Sequence, residues 1–290
     1  MKKISFIVTV LVAMVFSASA EPLKLSGSDV LAPVIEKDVV SLAKKSDIDV
    51  QCKMAGTYLA MPNLLAGKTD VAIIALPRKQ KLPEGLVALP FAYQATVVIV
   101  NSVNPIEEIT TKQLHDIFSV NAKVRSENWS QIGVSDVSLR NIVAVSTSFA
   151  DNLVVELFKA EALNGYNLGP WVNMASNKNN VISIIKTNNS AIAIVGKAIE
   201  GDLVKILPVS KSEGSKTYAY KPDSESIFNG DYALTLPFYI VFKKENINKV
   251  KPLLKILLDD EIARLLDNSD FYSAPKNSRK KSIFELDIIK

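Results

Sequence analysis

The sequence predicts an α/β protein with mixed sheets. Two observations carry this. Short β-rich apolar runs alternate along the chain with segments of helical periodicity. The 290 residues are 48% hydrophobic and 22% charged, ordinary values for a globular chain. That length is one large domain or two modest ones, enough to bury a core without staples. Disordered, collagen-like, coiled-coil and disulfide-rich classes are excluded.

The elements follow in order. Residues 23–25 read as a strand, 33–44 as a helix opened by Pro33, and 49–52 as a strand. Pro62 opens a short helix over 62–66, closed by Gly67. Residues 71–75 are a buried strand and 94–101 a longer one. Residues 111–118 form a helix with Leu114, Ile117 and Phe118 on one face. A strand over 141–145 and a helix over 151–160 come next, then a helix over 179–186 and a buried strand over 191–195. Residues 232–242 are apolar and β-rich, and 249–266 read as one amphipathic helix. Residues 211–216 are a polar loop, and Arg279–Lys281 a solvated basic patch. Repeated βα units imply sheets with helices on both faces.

The first twenty residues form an address. Lys2 and Lys3 precede an apolar run from Ile4 to Phe16, and Ala18-Ser19-Ala20 is a small-x-small site. This is the anatomy of a secretory signal peptide cleaved after Ala20; the apolar run is too short for a comfortable span. No Cys follows for lipid attachment. Loss of Lys2 and Lys3 takes the formal charge from +4 to about +2, too little for nucleic acid. The expected location is the periplasm, as a soluble monomer. Cys52 is the only cysteine and His115 the only histidine. They cannot form a disulfide or a zinc site built from N and S ligands. Cys52 is expected to be a buried, inert thiol. No Gly-x-Ser-x-Gly elbow is present, and His115 reads as a surface or packing residue within a helix, so an enzyme is not expected and no cofactor is implied. The aromatics Tyr93, Trp129, Trp171 and Tyr239 read as core.

The order of segments is distinctive. Leu25-Ser26-Gly27-Ser28 is followed by Ala32-Pro33-Val34 and then Gly56-Thr57. Leu65-Ala66-Gly67-Lys68-Thr69-Asp70-Val71 and Val98-Ile99-Val100-Asn101 come next. Ile109-Thr110-Thr111-Lys112-Gln113-Leu114 leads to Asn128-Trp129, and Asn229-Gly230-Asp231-Tyr232-Ala233-Leu234 completes the set. In these motifs the chain resembles the periplasmic phosphate-binding proteins of ABC uptake systems (PstS-like). The resemblance covers nearly the whole mature chain and is most specific from Asn101 to Trp129. It implies a two-lobed periplasmic-binding-protein clamshell with two crossovers. Residues 21–100 and 197–290 would form the first lobe, and 101–196 the second. A small-molecule or anion ligand would sit between the lobes, and an ABC transporter permease would be the partner.

Four places in the family supply ligand donors. In the first, Ser28 or Asp29 is a candidate helix cap and ligand contact, with Asp29 standing where the family tends to carry a hydroxyl. In the second, Thr57 keeps a hydroxyl, but Tyr58, Leu59 and Ala60 replace small and hydroxyl residues. In the third, Ile74-Ala75-Leu76-Pro77 lacks the usual polar side chains, and Arg78 is displaced by about two residues. In the fourth, Thr147 and Ser148 stand without the family's Arg and Ser-Gly-Thr, with Ser148 and Asp151 spaced as a cap. A hydrogen bond to a charged group is worth about 1.5–3 kcal/mol. Micromolar binding is only about 8 kcal/mol in total. Losing several donors therefore makes phosphate a poor fit. Ser28, Asp29, Thr57, Tyr58, Thr147 and Ser148 are the candidate ligand contacts, better suited to a neutral or cationic, partly apolar ligand. The alternative is a binding fold repurposed for protein–protein contact or sensing, with no transported solute.

Overall fold

The computed structural model describes residues 21–77, 80–136, 138–139, 141–148, 152–198, 200–211 and 218–288. The expected signal peptide, Arg78, Asp151 and most of the 211–216 loop lie outside the described residues. Among the described residues, no helix is long and apolar enough to cross a membrane.

Two sheets organise the chain. The first has six strands: β1 (Leu23–Gly27), β2 (Val50–Lys53), β3 (Val71–Ala75), β4 (Leu86–Ala95), β12 (Thr235–Lys243) and β13 (Phe271–Ser273). Their order is β13-β4-β12-β3-β1-β2. β1 runs parallel to β2 and β3, while β12 is antiparallel to β3 and β4. The second sheet has five strands: β5 (Val97–Asn101), β7 (Val143–Thr147), β8 (Asn173–Ala175), β9 (Ala191–Val195) and β10 (Val204–Ile206). Their order is β10-β5-β9-β7-β8, with β7 parallel to both neighbours. β6 (Ile109–Thr110) and β11 (Val209–Ser210) pair separately. This is the two-lobed α/β architecture expected, with mixed sheets.

The lobes meet where β4 hands over to β5. Thr96 alone separates them; it is fully buried, and its hydroxyl donates to the Val154 carbonyl at 2.8 Å. Residues 94–101 are thus two strands in two sheets, not one. The strand at 97–101, expected with the first lobe, pairs in the second sheet, and so does β10.

Other expectations shift for local reasons. α1 (Ala32–Lys45) buries Ile35, Val39 and Ala43 at helical spacing. α2 (Thr57–Leu65) begins five residues earlier than Pro62 suggests. Gly56, at φ 116°, starts it, and the amides of Leu59 and Ala60 donate to its carbonyl. Pro62 then lies inside the helix; the bond it cannot make falls on Tyr58, whose residue is solvent-exposed. α3 (Thr111–Phe118) is opened by a Thr110–Gln113 capping box. α4 (Asn152–Ala162) and α5 (Lys178–Thr187) flank the second sheet, and α6 (Ser224–Asn229) precedes the return to the first.

The long helix at 249–266 divides into α7 (Ile247–Leu257) and α8 (Asp260–Asp267), because Asp259 caps the second by accepting from the Glu261 amide at 2.8 Å. The expected basic patch lies on α9 (Lys276–Ile288), where Lys280 and Lys281 are exposed as expected and Arg279 is not. Its Arg279 is buried and donates to the carbonyls of Ala274 and Leu258, both at 3.0 Å, and to Asp260 at 2.9 Å. Trp129 is fully buried, with its indole N–H on the Ser190 carbonyl at 3.1 Å.

Candidate functional site

The carboxyl ends of parallel strands gather the candidate residues, one group per lobe. In the first lobe, β1 ends at Gly27. A Cβ there would lie 2.8 Å from the Ile73 carbonyl oxygen, so only glycine allows the strand to pass. The Gly56 amide donates to the Gly27 carbonyl at 2.8 Å, and the Ser28 amide to the Ile73 carbonyl at 2.8 Å. Thr57 Oγ1 accepts from the Ala75 amide at 3.2 Å. The ends of β1 and β3 and the start of α2 are therefore tied into one corner.

Ser28, Asp29, Thr57 and Tyr58 all belong to that corner, in roles that differ from expectation. Ser28 is buried and makes no side-chain cap bond; a 3-10 turn over Asp29–Leu31 precedes α1, whose N-cap position is Leu31. The capping role assigned to Ser28 or Asp29 is thus not realised, because the extra turn separates them from α1. Asp29 is exposed, with Oδ1 4.0 Å from where a Gly56 Cβ would stand. Thr57 and Tyr58 form the first turn of α2 rather than a loop. Tyr58 is 88% exposed and Leu59 53%, so both side chains stand out into solvent. No side chain caps α2, which leaves its opening amides and the positive end of its dipole at the corner.

In the second lobe, β7 ends at Thr147. Its side chain is buried, and its Oγ1 has no hydrogen-bond partner among the described residues. Ser148 donates twice, from its amide to the Ala175 carbonyl at 2.7 Å and from its hydroxyl to the Ser176 carbonyl at 3.2 Å. Its expected cap with Asp151 lies outside the described residues.

A cavity of about 600 Å³ lies between the two lobes. Pro77, Thr235 and Leu236 line it from the first sheet's side, and Leu153, Glu156, Leu157, Ala160 and Glu161 of α4 from the second. Tyr232 and Lys211 complete it near the crossover. The Tyr232 hydroxyl donates to the Thr96 carbonyl at 2.8 Å, and complete burial pushes its ionisation far above the usual tyrosine range. Glu156 is paired with Lys159 at 2.8 Å. None of the six expected contacts lines this cavity. Its walls come from distant segments; of the lining residues, Pro77, Thr111, Gly230, Tyr232 and Ala233 lie in motifs that stood out in the sequence.

Two singled-out residues have other surroundings. Burial, then the charge of Glu36, pushes the Cys52 thiol up to about 12, an unreactive state. His115 is mostly buried on α3, with Nδ1 3.5 Å from Asp116. Among the described residues, no three His, Cys, Asp or Glu side chains cluster to hold a metal.

The model of a PBP superfamily domain matches residues 17–261. The phosphate-binding protein PstS of Staphylococcus epidermidis is 27% identical over 278 residues, covering 91% of this chain and 82% of that protein. PstS of Pseudomonas aeruginosa is 24% identical over 257 residues, covering 83% and 79%. Among solved structures, PstS from Borrelia burgdorferi superposes with a TM-score of 0.70 at 19% identity, over 88% of this chain and all of that one. With a family match over most of its length and a fold that superposes on a solved relative, this chain belongs to the PBP superfamily and is PstS-like.

Proposed function

We propose that the protein is a secreted solute-binding component of an ABC uptake system, whose cleft has diverged from phosphate. The observation that carries a ligand is Thr147. Its buried hydroxyl, without a partner among the described residues, costs stability unless something else satisfies it, and it stands at the carboxyl end of a parallel strand. The uncapped start of α2 supplies further donors in the other lobe. Against phosphate stand the Ser148 hydroxyl, already donating to the Ser176 carbonyl, the carboxylate of Asp29 at the corner, and the largely apolar walls of the cavity. A doubly charged anion requires charge-assisted bonds that these side chains do not offer. A neutral or cationic solute with an apolar part fits better. The lobes we assign follow the sheets: β1–β4, β12 and β13 in the first, β5 and β7–β10 in the second.

The test is a thermal-shift titration of residues 21–290 with phosphate, sulfate, amino acids, polyamines and sugars, with small-angle scattering to read closure. The expected result is a saturable shift with a non-phosphate solute, accompanied by compaction. Ligand at about 100 times Kd adds roughly 2.7 kcal/mol. Thr147→Val should abolish that shift without lowering the ligand-free melting temperature, since an unsatisfied hydroxyl is replaced by a methyl of like size. Compaction on phosphate would overturn the diverged cleft.

A second reading is a fold repurposed for partner contact. The exposed Tyr58 and Leu59 on the first turn of α2 favour it. No shift with any solute, together with capture of a partner lost in Tyr58→Ala/Leu59→Ala, would select it.

A further inference from the structure

A second polar recess lies on the first lobe, between α2 and the edge strand β2, with a volume of about 300 Å³. Strand register builds it. Lys24 stands beside Gln51 and Ser26 beside Lys53, and alternation sends all four to one face of the sheet. Asn63 of α2 and Lys68 close the other side. Every charged residue lining the recess is a lysine.

The acids nearest to it are engaged elsewhere or stand apart. Glu21 is held by Lys24 at 2.6 Å. Asp70 is held by Lys249 at 2.6 Å and by the Lys24 amide at 2.9 Å. Asp29 does not line the recess, although its Oδ1 lies 4.0 Å from where a Cβ on the lining residue Gly56 would stand. Lys53 and Lys68 have no carboxylate partner among the described residues, and the side-chain amides of Gln51 and Asn63 make no hydrogen bond there. Ser26 Oγ is closed off from bulk water and also lacks a partner. A buried hydroxyl, two amides and two unpaired ammonium groups converge without a carboxylate among them.

We propose that this recess is an anion site that takes a phosphate group, separate from the cleft between the lobes. Lys53 and Lys68 supply the charge, and the side-chain amides of Gln51 and Asn63 supply directed donors. The group could arrive as a free ion or on a lipid headgroup; the chemistry at the recess is shared. Binding here touches one lobe only, so it is not coupled to closure.

Two arms separate the sources. Inorganic phosphate is titrated into the mature protein at low salt, followed by backbone amide NMR. In parallel, the protein is co-sedimented with vesicles of phosphatidylcholine and phosphatidylglycerol in equal parts. The charge reversal Lys53→Glu/Lys68→Glu should weaken binding at least tenfold, while Lys53→Arg/Lys68→Arg retains it. Both substitutions are on exposed side chains, so folding is checked simply by an unchanged melting curve. Saturable perturbation of residues 51–53 and 63–69 by phosphate, lost on charge reversal, supports a free-ion site. Vesicle binding lost on charge reversal, without the phosphate response, supports a headgroup site. No binding in either arm, or binding indifferent to charge reversal, overturns the proposal. Scattering that stays unchanged with phosphate distinguishes this recess from cleft binding.

Discussion

Arg279 illustrates how burial changes the meaning of a basic residue. In the sequence it sits in Ser-Arg-Lys-Lys and looks solvated. In the fold its guanidinium is buried and satisfies two carbonyls, Ala274 and Leu258, while pairing with Asp260. The Leu258 carbonyl lies at the end of α7, where orphan acceptors need donors. Arg279→Ala should cost about 2–4 kcal/mol, read as a lowered urea midpoint with unchanged slope. Arg279→Lys should recover only part, because an ammonium cannot span three acceptors in a plane. A midpoint unmoved by Arg279→Ala would show that the guanidinium does not hold this junction. The same cluster predicts a pH effect. Hydrogen bonds from Lys276, then Arg279, hold the Asp260 carboxyl below its ordinary range. A depressed folded pKa means the contribution is present above the unfolded value of about 3.9 and is lost as pH falls through the folded value. Asp260→Asn should therefore flatten the acid limb of the stability curve and leave its neutral region less stable.

At the scale of elements, caps decide where periodicity stops. Asp259 interrupts a run of leucines that would otherwise continue as one helix, and its carboxylate accepts from the Glu261 amide. Asp259→Ala should cost about 1 kcal/mol, with Asp259→Ser restoring most of it, in thermal unfolding. Equal stability for Asp259→Ala would mean that packing alone sets the break. This break was not legible because leucine spacing carries across it, from Leu253 to Leu266. By contrast α3, β3 and β9 were legible to the residue. α3 carries its own capping box, and β3 and β9 are wholly apolar runs, each entered from a polar residue, Asp70 and Ser190. β4 escaped notice because Pro90 interrupts it; in the sheet Pro90 sits at a register shift opposite Tyr239, where a missing amide is tolerated. α9 escaped because its apolar face is thin and one of its buried residues is an arginine. The candidate site divides the same way. Ser28, Thr57 and Thr147 were found because the family resemblance marks the segments that supply ligand donors, and those segments can be located by their own short motifs. The cavity was not, because its walls join α4 to segments some eighty residues further along, which only tertiary structure brings together.

For the whole molecule, what matters is how firmly one lobe is held to the other. Two lysines from the second lobe's side reach the loop between α8 and β13. Lys197 donates to the carbonyls of Asp267 and Phe271 at 2.7 and 2.9 Å, and its ammonium lies 4.6 Å from the centre of the Tyr272 ring. Burial lowers its pKa, offset in part by Asp267 and Asp270. These bonds are short-range and partly desolvated, and salt screens them little. Lys178, on the first turn of α5, instead meets Asp270 at 2.6 Å with about half of the aspartate side chain exposed. Such a pair is worth under about 1 kcal/mol and is readily screened. The two contacts should therefore behave differently, Lys197 as a pivot and Lys178–Asp270 as a weak latch. Lys197→Met should lower the melting temperature and leave its salt dependence unchanged. Asp270→Asn should barely change stability but enlarge the ligand-free radius of gyration at low salt, matching the radius the wild type reaches at high salt. The reasoning is that a free energy too small to matter for unfolding can still shift an open–closed equilibrium several-fold, since 1.4 kcal/mol is a factor of ten. If scattering finds the same radius for Asp270→Asn and wild type at every salt concentration, the pair is an incidental surface contact and plays no part in holding the lobes.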